Sequence, residues 1–251
     1  MTDRTERRPP QAGNDRDREG QKGMPSAGTA VHPPLLSPGY KSTILRAPQQ
    51  APILLPHSLT ELTGPVLGEG PVAARDADLT LDGTGEAQGQ RIVVHGQVRD
   101  ADGRAVPDTL LEVWQANAAG RYRHHGDRHD APLDPHFTGV GRTLTDAHGN
   151  YRFVTVKPGA YPWGNHANAW RPAHIHFSVF GRAFTQRLVT QMYFPDDPLF
   201  AYDPIYRSVP EFARDRLVAA FDLSATVDSW ALGFRFDIVL TGAAATPMET
   251  R

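Results

Sequence analysis

Arg91-Ile92-Val93-Val94-His95-Gly96-Gln97-Val98 decides the class of fold. The run is rich in β-branched residues and leads into Asp100-Ala101-Asp102-Gly103, where Asp and Gly stand where a turn wants them. It reads as a strand. Working outward, Thr109-Leu110-Leu111-Glu112-Val113-Trp114 is the next strand. Residues 141–145 and 151–156 flank Asp146-Ala147-His148-Gly149-Asn150, a hairpin signal. Residues 174–180, 187–194 and 233–240 read as further strands. Residues 208–221 read as a helix with a Ser cap and Pro-Glu near the first turn, and residues 59–63 as a single helical turn. Two irregular stretches, 115–140 and 158–171, separate the strands. Short strands, long functional loops, a short helix and an extended N-terminal arm predict a mainly β fold, a two-sheet β-sandwich.

Composition divides the 251 residues into three parts. Residues 1–30 hold almost nothing apolar to bury and are expected to be a disordered polar tail. Residues 31–89 are a Pro-rich arm expected to pack on the body or on a partner chain, and 90–251 the sandwich that carries the chemistry. A net charge of −2 offers no broad basic surface for nucleic acid. The absence of cysteine excludes a disulfide scaffold, thiolate zinc sites and Cys-held iron–sulfur clusters. No apolar run reaches the roughly 18–20 residues of a membrane span. No apolar h-region follows the polar start Met1-Thr2-Asp3-Arg4, so a cytoplasmic location is expected.

The scaffold alone does not give a function. Arg171-Pro172-Ala173-His174-Ile175-His176-Phe177 adds chemistry to it. Side chains alternate along a strand, so His174 and His176 share one face while Ile175 points into a core. Two imidazoles alone do not choose a metal, and a lone His-x-His is more often structural. Two phenols, Tyr122 and Tyr161, stand upstream in loop-like sequence, and tyrosinate is a hard anionic donor suited to a trivalent ion. If all four converge, the site suits ferric iron. The histidines 124, 125, 129 and 136 sit in one loop at irregular spacings, without a rigid strand to preorganise them. They read as a solvated, partly structural loop, and His95, His148 and His166 as non-ligands.

Several ordered motifs resemble the intradiol ring-cleavage dioxygenases. They are Leu111-Glu112-Val113-Trp114-Gln115-Ala116-Asn117-Ala118-Ala119-Gly120-Arg121-Tyr122-Arg123-His124, Asp134-Pro135 with Gly139-Val140-Gly141-Arg142, Lys157-Pro158-Gly159-Ala160-Tyr161-Pro162-Trp163, and Trp170-Arg171-Pro172-Ala173-His174-Ile175-His176-Phe177. The likeness runs from Pro38-Gly39-Tyr40-Lys41 to the final strand, and is strongest to the iron-holding β chains that pair with a homologous, iron-free α chain. It implies one non-haem Fe(III) per chain, with Tyr122 and Tyr161 as tyrosinate and His174 and His176 as imidazole ligands. It makes Arg171 a catalytic residue facing the substrate, and Tyr161 the phenolate that leaves when substrate binds. Trp163, Gln191 and Tyr40 would contact the substrate. It implies intradiol cleavage of protocatechuate by O2 to 3-carboxy-cis,cis-muconate, in a hetero-oligomer with the α chain, without nucleic acid or membrane. Charge supports that ligand set: two tyrosinates and a hydroxide neutralise a trivalent ion. The alternatives are a catechol or hydroxyquinol 1,2-dioxygenase, whose long helical N-terminal region this chain lacks, and a non-catalytic β-sandwich binding module. A ferrous site would want a carboxylate beside the two histidines, and none sits in the His strand.

Overall fold

The structure is a computed structural model that describes residues 31–51, 53, 72–81, 85–180 and 187–249. The tail expected over residues 1–30 and the helical turn expected at 59–63 lie outside the described residues. The strands among the described residues are β1 (Arg91–Arg99), β2 (Leu110–Trp114), β3 (Val140–Leu144), β4 (Asn150–Val156), β5 (Tyr161–Pro162), β6 (Trp170–Arg171), β7 (His174–Phe180), β8 (Arg187–Tyr193), β9 (Ala220–Phe221), β10 (Leu232–Arg235) and β11 (Ile238–Val239). Among the described residues there are two short α-helices, α1 (Ser42–Arg46) and α2 (Pro204–Ser208). The expected mainly β sandwich with a short helix is what the chain forms.

One sheet runs β11-β1-β10-β9, with β4 on the other side of β1; the second runs β3-β2-β7-β8. Ile92, Val94 and Val98 of β1 and Phe153 of β4 meet Leu111 and Val113 of β2 and Ile175, Phe177 and Val179 of β7 in one core. Each is 2% exposed or less, so apolar burial here is the main force joining the sheets. Within the first sheet, the Tyr151 hydroxyl of β4 donates to Phe236 O, between β10 and β11, at 2.5 Å. Alternation along β7 sends Ile175, Phe177 and Val179 to this core and His174 and His176 to the opposite side.

Three expectations are corrected. The turn at 146–150 does not close a hairpin: β3 pairs with β2 in one sheet and β4 with β1 in the other, so the turn crosses between layers. Residues 208–221 do not form one helix. A cap at Asp203 starts α2, its Oδ1 accepting Ile205 N at 2.9 Å, and the helix ends at Ser208. Pro210 disfavours helical backbone at the residue before it and supplies no N–H; Val209 is extended, with φ −71° and ψ 135°. The chain resumes as a 3-10 helix, Glu211–Leu217, and then β9. The strand expected over 233–240 is also two pieces. Both β10 and β11 run parallel to β1. Between them Asp237 inserts its Oδ1 to accept Gln97 N at 3.0 Å, replacing a backbone acceptor in the ladder.

The described part of the N-terminal stretch lies against the body. Val31 packs with Tyr193, Tyr206 and Ala245. Lys41 N donates to Asn165 Oδ1 and Asn165 Nδ2 donates to Gly39 O, both at 2.9 Å. These bonds bring Tyr40 beside Trp163, with ring centres 5.4 Å apart.

Candidate metal centre

Three local devices bring the tyrosines and histidines together. The first is β7, whose alternation puts His174 and His176 side by side; both are buried, at 1% and 8% exposure. The second is the short β5–β6 pairing, which sets Tyr161 directly across from Arg171. The third is a buried asparagine. Asn117 O accepts from both Gly120 N and Gly159 N at 3.0 Å, and its Oδ1 accepts Ala119 N and Arg121 N. The Tyr122 loop is thereby pinned to the Tyr161 loop. The approach is too close for side chains: a Cβ on Gly159 would lie 2.5 Å from Ala118 O, and one on Gly120, at φ +79°, 2.2 Å from Ala160 O. Asp127 completes the loop, its Oδ2 accepting Tyr122 N at 2.7 Å.

At the centre, His174 Nε2 lies 3.2 Å from His176 Nε2 and 3.3 Å from Tyr161 Oη. Each imidazole uses its other nitrogen elsewhere. His174 Nδ1 donates to Pro172 O at 2.7 Å, and His176 Nδ1 donates to Glu249 Oε2 at 3.2 Å. That assigns the tautomers and leaves both Nε2 atoms as lone-pair donors facing each other. Two such lone pairs repel at this distance unless a proton or cation sits between them. Burial, then the Arg171 charge, push His174 well below the ordinary histidine value and keep it in the neutral, ligand form. Tyr122 closes the group, its ring 5.2 Å from that of Tyr161 and 6.4 Å from that of His176. Trp114, paired with His176 across β2 and β7, stacks flat on its imidazole at 4.8 Å and 1°.

Arg171 sits beside the donors at 3% exposure. Its Nη1 lies 3.0 Å from His174 Nε2. Its Nη2 donates to Gln191 Oε1 at 2.5 Å and to Tyr193 Oη and Asp203 Oδ2 at 3.0 Å. Burial alone would depress its ionisation, but the Asp203 carboxylate together with the Tyr193 and Tyr161 oxygens outweighs that and keeps the guanidinium charged. Arg171 also lies over the Trp163 ring, 5.6 Å from its centre. The eight residues singled out from the sequence, Tyr40, Tyr122, Tyr161, Trp163, Arg171, His174, His176 and Gln191, therefore form one connected cluster. Sequence reading missed Glu249, Asp203, Tyr193 and Trp114. Only Trp114 carried a usable signal, its place in a strand that would pair with the His strand.

A metal fits this donor set. Tyr122 Oη is buried without a hydrogen-bond partner, as are Trp163 Nε1, Arg171 Nε and Gln191 Nε2. A buried orphan of this kind is costly unless a bound ion or ligand completes it. Burial, followed by the neighbouring Tyr161, pushes the Tyr122 phenol well above its ordinary value. Only a strong cation would make it a tyrosinate here. Among the described residues no group of three or more histidine and carboxylate side chains is placed to hold a metal, and the His124 loop supplies none. A cavity of about 910 Å³ adjoins the cluster, lined by Trp114, Tyr122, Arg123, Arg128, Tyr161 and Trp163. Its size suits a small ring, and its two arginines suit an anionic one. No helix among the described residues is long and apolar enough to cross a membrane.

Comparison with known proteins gives a consistent result. The profile of the family described as "Dioxygenase" matches residues 62–242, starting within the stretch read as an arm. That described as "Protocatechuate 3,4-dioxygenase beta subunit N terminal" matches residues 24–58. The chain is 58% identical to the protocatechuate 3,4-dioxygenase beta chain of Burkholderia cepacia, over 87% of this chain and 94% of that one. It is 33% identical to the alpha chain of Pseudomonas putida, over 77% of this chain and 96% of that one. Among solved structures, hydroxyquinol 1,2-dioxygenase from Pseudomonas putida DLL-E4 superposes with a TM-score of 0.52 at 26% identity, over 74% of this chain and 65% of that one.

Proposed function

The chain belongs to the intradiol dioxygenase family, on the protocatechuate 3,4-dioxygenase β-chain branch, and from that premise we propose that Tyr122, Tyr161, His174 and His176 hold one ferric iron at which protocatechuate is cleaved by O2. The protein is the β partner of a homologous α chain in a hetero-oligomer. The convergence of His176 Nε2 and Tyr161 Oη on His174 Nε2, at 3.2 and 3.3 Å, carries the ligand assignment. A cytoplasmic location is part of the same reading, and cell fractionation tests it. So is the division into tail, arm and sandwich at residues 30 and 89, which limited proteolysis tests.

When bound, ferric iron would supply Lewis acidity that draws electron density from the catechol ring. The remaining work falls to side chains. Tyr161 Oη accepts one catechol proton as the substrate arrives, so binding also performs a deprotonation. Its place suits that exchange: Gly159 and Gly164 lie on either side of a two-residue strand, whereas Tyr122 is tied through its own N–H to Asp127. Arg171, held by Asp203, Tyr193 and Gln191, aims Nη1 at the same region and stabilises negative charge that develops on the ring. Gln191 Nε2 is a further donor for the substrate. Trp163 and Tyr40 shape the entrance, and Arg123 and Arg128 give the substrate carboxylate a favourable field.

Replacing Tyr161 with Phe is expected to leave iron bound through the other three side chains but to slow substrate entry, because one proton acceptor is gone. A loss of about 10²–10⁴-fold in the rate of anaerobic complex formation is the range for one general base. Stopped-flow mixing with protocatechuate measures it. An unchanged rate in Tyr161→Phe, with the rate lowered instead in Tyr122→Phe, would exchange the two roles.

A further inference from the structure

We propose that Glu249 is a positioning residue for the metal centre: its carboxylate selects the ring flip and the tautomer of the His176 imidazole and strengthens Nε2 as a donor. The inference rests on the ligand reading given above.

The two histidines are held differently. The Nδ1 of His174 meets a neutral carbonyl, Pro172 O, only two residues away. The Nδ1 of His176 meets a carboxylate from a residue 73 positions along the chain. Stacking on Trp114 fixes the plane of the His176 ring, but two orientations related by a half-turn about Cβ–Cγ share that plane. A bond to Nδ1 selects the one that aims Nε2 at His174 Nε2. A charged acceptor also pulls on the Nδ1 proton, which raises electron density at the opposite nitrogen. Both side chains are largely withdrawn from water, at 11% and 14% exposure, so screening removes little of the effect.

The carboxylate is delivered by a segment stitched to the body on several sides. Thr246 N donates to Val239 O at 2.9 Å, and Thr246 Oγ1 accepts Val239 N at 3.0 Å. Pro247 O accepts Thr190 Oγ1 at 2.7 Å. Met248 N donates to His32 Nδ1 at 3.0 Å, and Glu249 N donates to Val189 O at 2.7 Å. Ala245 is fully buried. The segment thus runs beside β8, whose Gln191 pairs with His176 in β7. Its last anchor stands directly before the side chain that reaches the imidazole.

The test uses the intact assembly with its α chain, carrying Glu249→Ala, Glu249→Gln or His176→Ala. Iron per β chain is followed during dialysis against a chelator, together with the visible absorption band and the thermal unfolding of the iron-free protein. Glu249→Ala is expected to bind iron about 10–100-fold more weakly, the usual cost of losing such an outer partner. Glu249→Gln, whose amide oxygen still accepts the Nδ1 proton, should retain most of the iron with a displaced band. The proposal is overturned if Glu249→Ala keeps iron and band within twofold of the parent while His176→Ala loses iron. It is equally overturned if Glu249→Ala only lowers the unfolding temperature of the iron-free protein. Should Glu249→Gln alone fold, an unmoved band in that variant counts against it. If His176→Ala itself keeps its iron, the ligand reading has failed instead.

Discussion

Replacing Arg171 with methionine is expected to damage the fold and the reaction separately, and a second substitution should pull the two apart. Asp203 is fully buried, and Arg171 lies 3.0 Å from it. Without the guanidinium, Asp203 becomes an uncompensated buried charge, at a cost of about 3–5 kcal/mol. Adding Asp203→Asn removes that charge while keeping a side-chain oxygen for the Ile205 cap, so the double variant should recover much of the stability. Turnover should not recover. The donor aimed at the reacting ring is gone in both variants, and loss of one preorganised donor costs about 10²–10³ in kcat. Denaturant titration gives the first quantity, and turnover of protocatechuate at matched iron content gives the second. A double variant that regained parental turnover would reduce Arg171 to a structural role.

His176→Ala is expected to empty the site of iron. Loss of an outer hydrogen-bond partner costs about 10–100-fold in metal affinity, and loss of a ligand itself should exceed that range. The fold should survive, because His176 faces away from the core formed by Ile175 and Phe177. His124→Ala and His125→Ala serve as controls. These two exposed rings contact each other and lie outside the donor cluster, so both variants should keep full iron. Metal analysis of the three proteins, purified in parallel, measures the difference.

Parts of this architecture were readable before any coordinates, for local reasons. Period-2 alternation was enough to place His174 and His176 on one face and Ile175 in the core. The turn at Asp146-Ala147-His148-Gly149-Asn150 follows from turn chemistry, with Gly149 at φ +73°, but nothing local shows that it carries the chain from one sheet to the other instead of closing a hairpin. The convergence of Tyr122 with Tyr161 was a different matter. Spacing could not supply it, since it depends on Asn117 fastening two loops through Gly120 and Gly159; the family resemblance supplied it instead. The helix expected over 208–221 does not form because Pro210, which could also open a helix, here follows an extended Val209 and ends one. Glu249 and Asp203 were invisible because their roles are tertiary. An acidic residue in a C-terminal segment, or one before a proline, carries no local sign that it will reach His176 or Arg171.

The visible spectrum of the purified protein, read with its iron content before and after anaerobic addition of protocatechuate, tests the ligand set most directly. The expected result is about one iron per β chain, a burgundy-red colour from tyrosinate-to-iron charge transfer, and a displaced band when protocatechuate binds. A colourless protein that carries its full complement of iron, or one that cleaves protocatechuate at full rate with no iron bound, would contradict it.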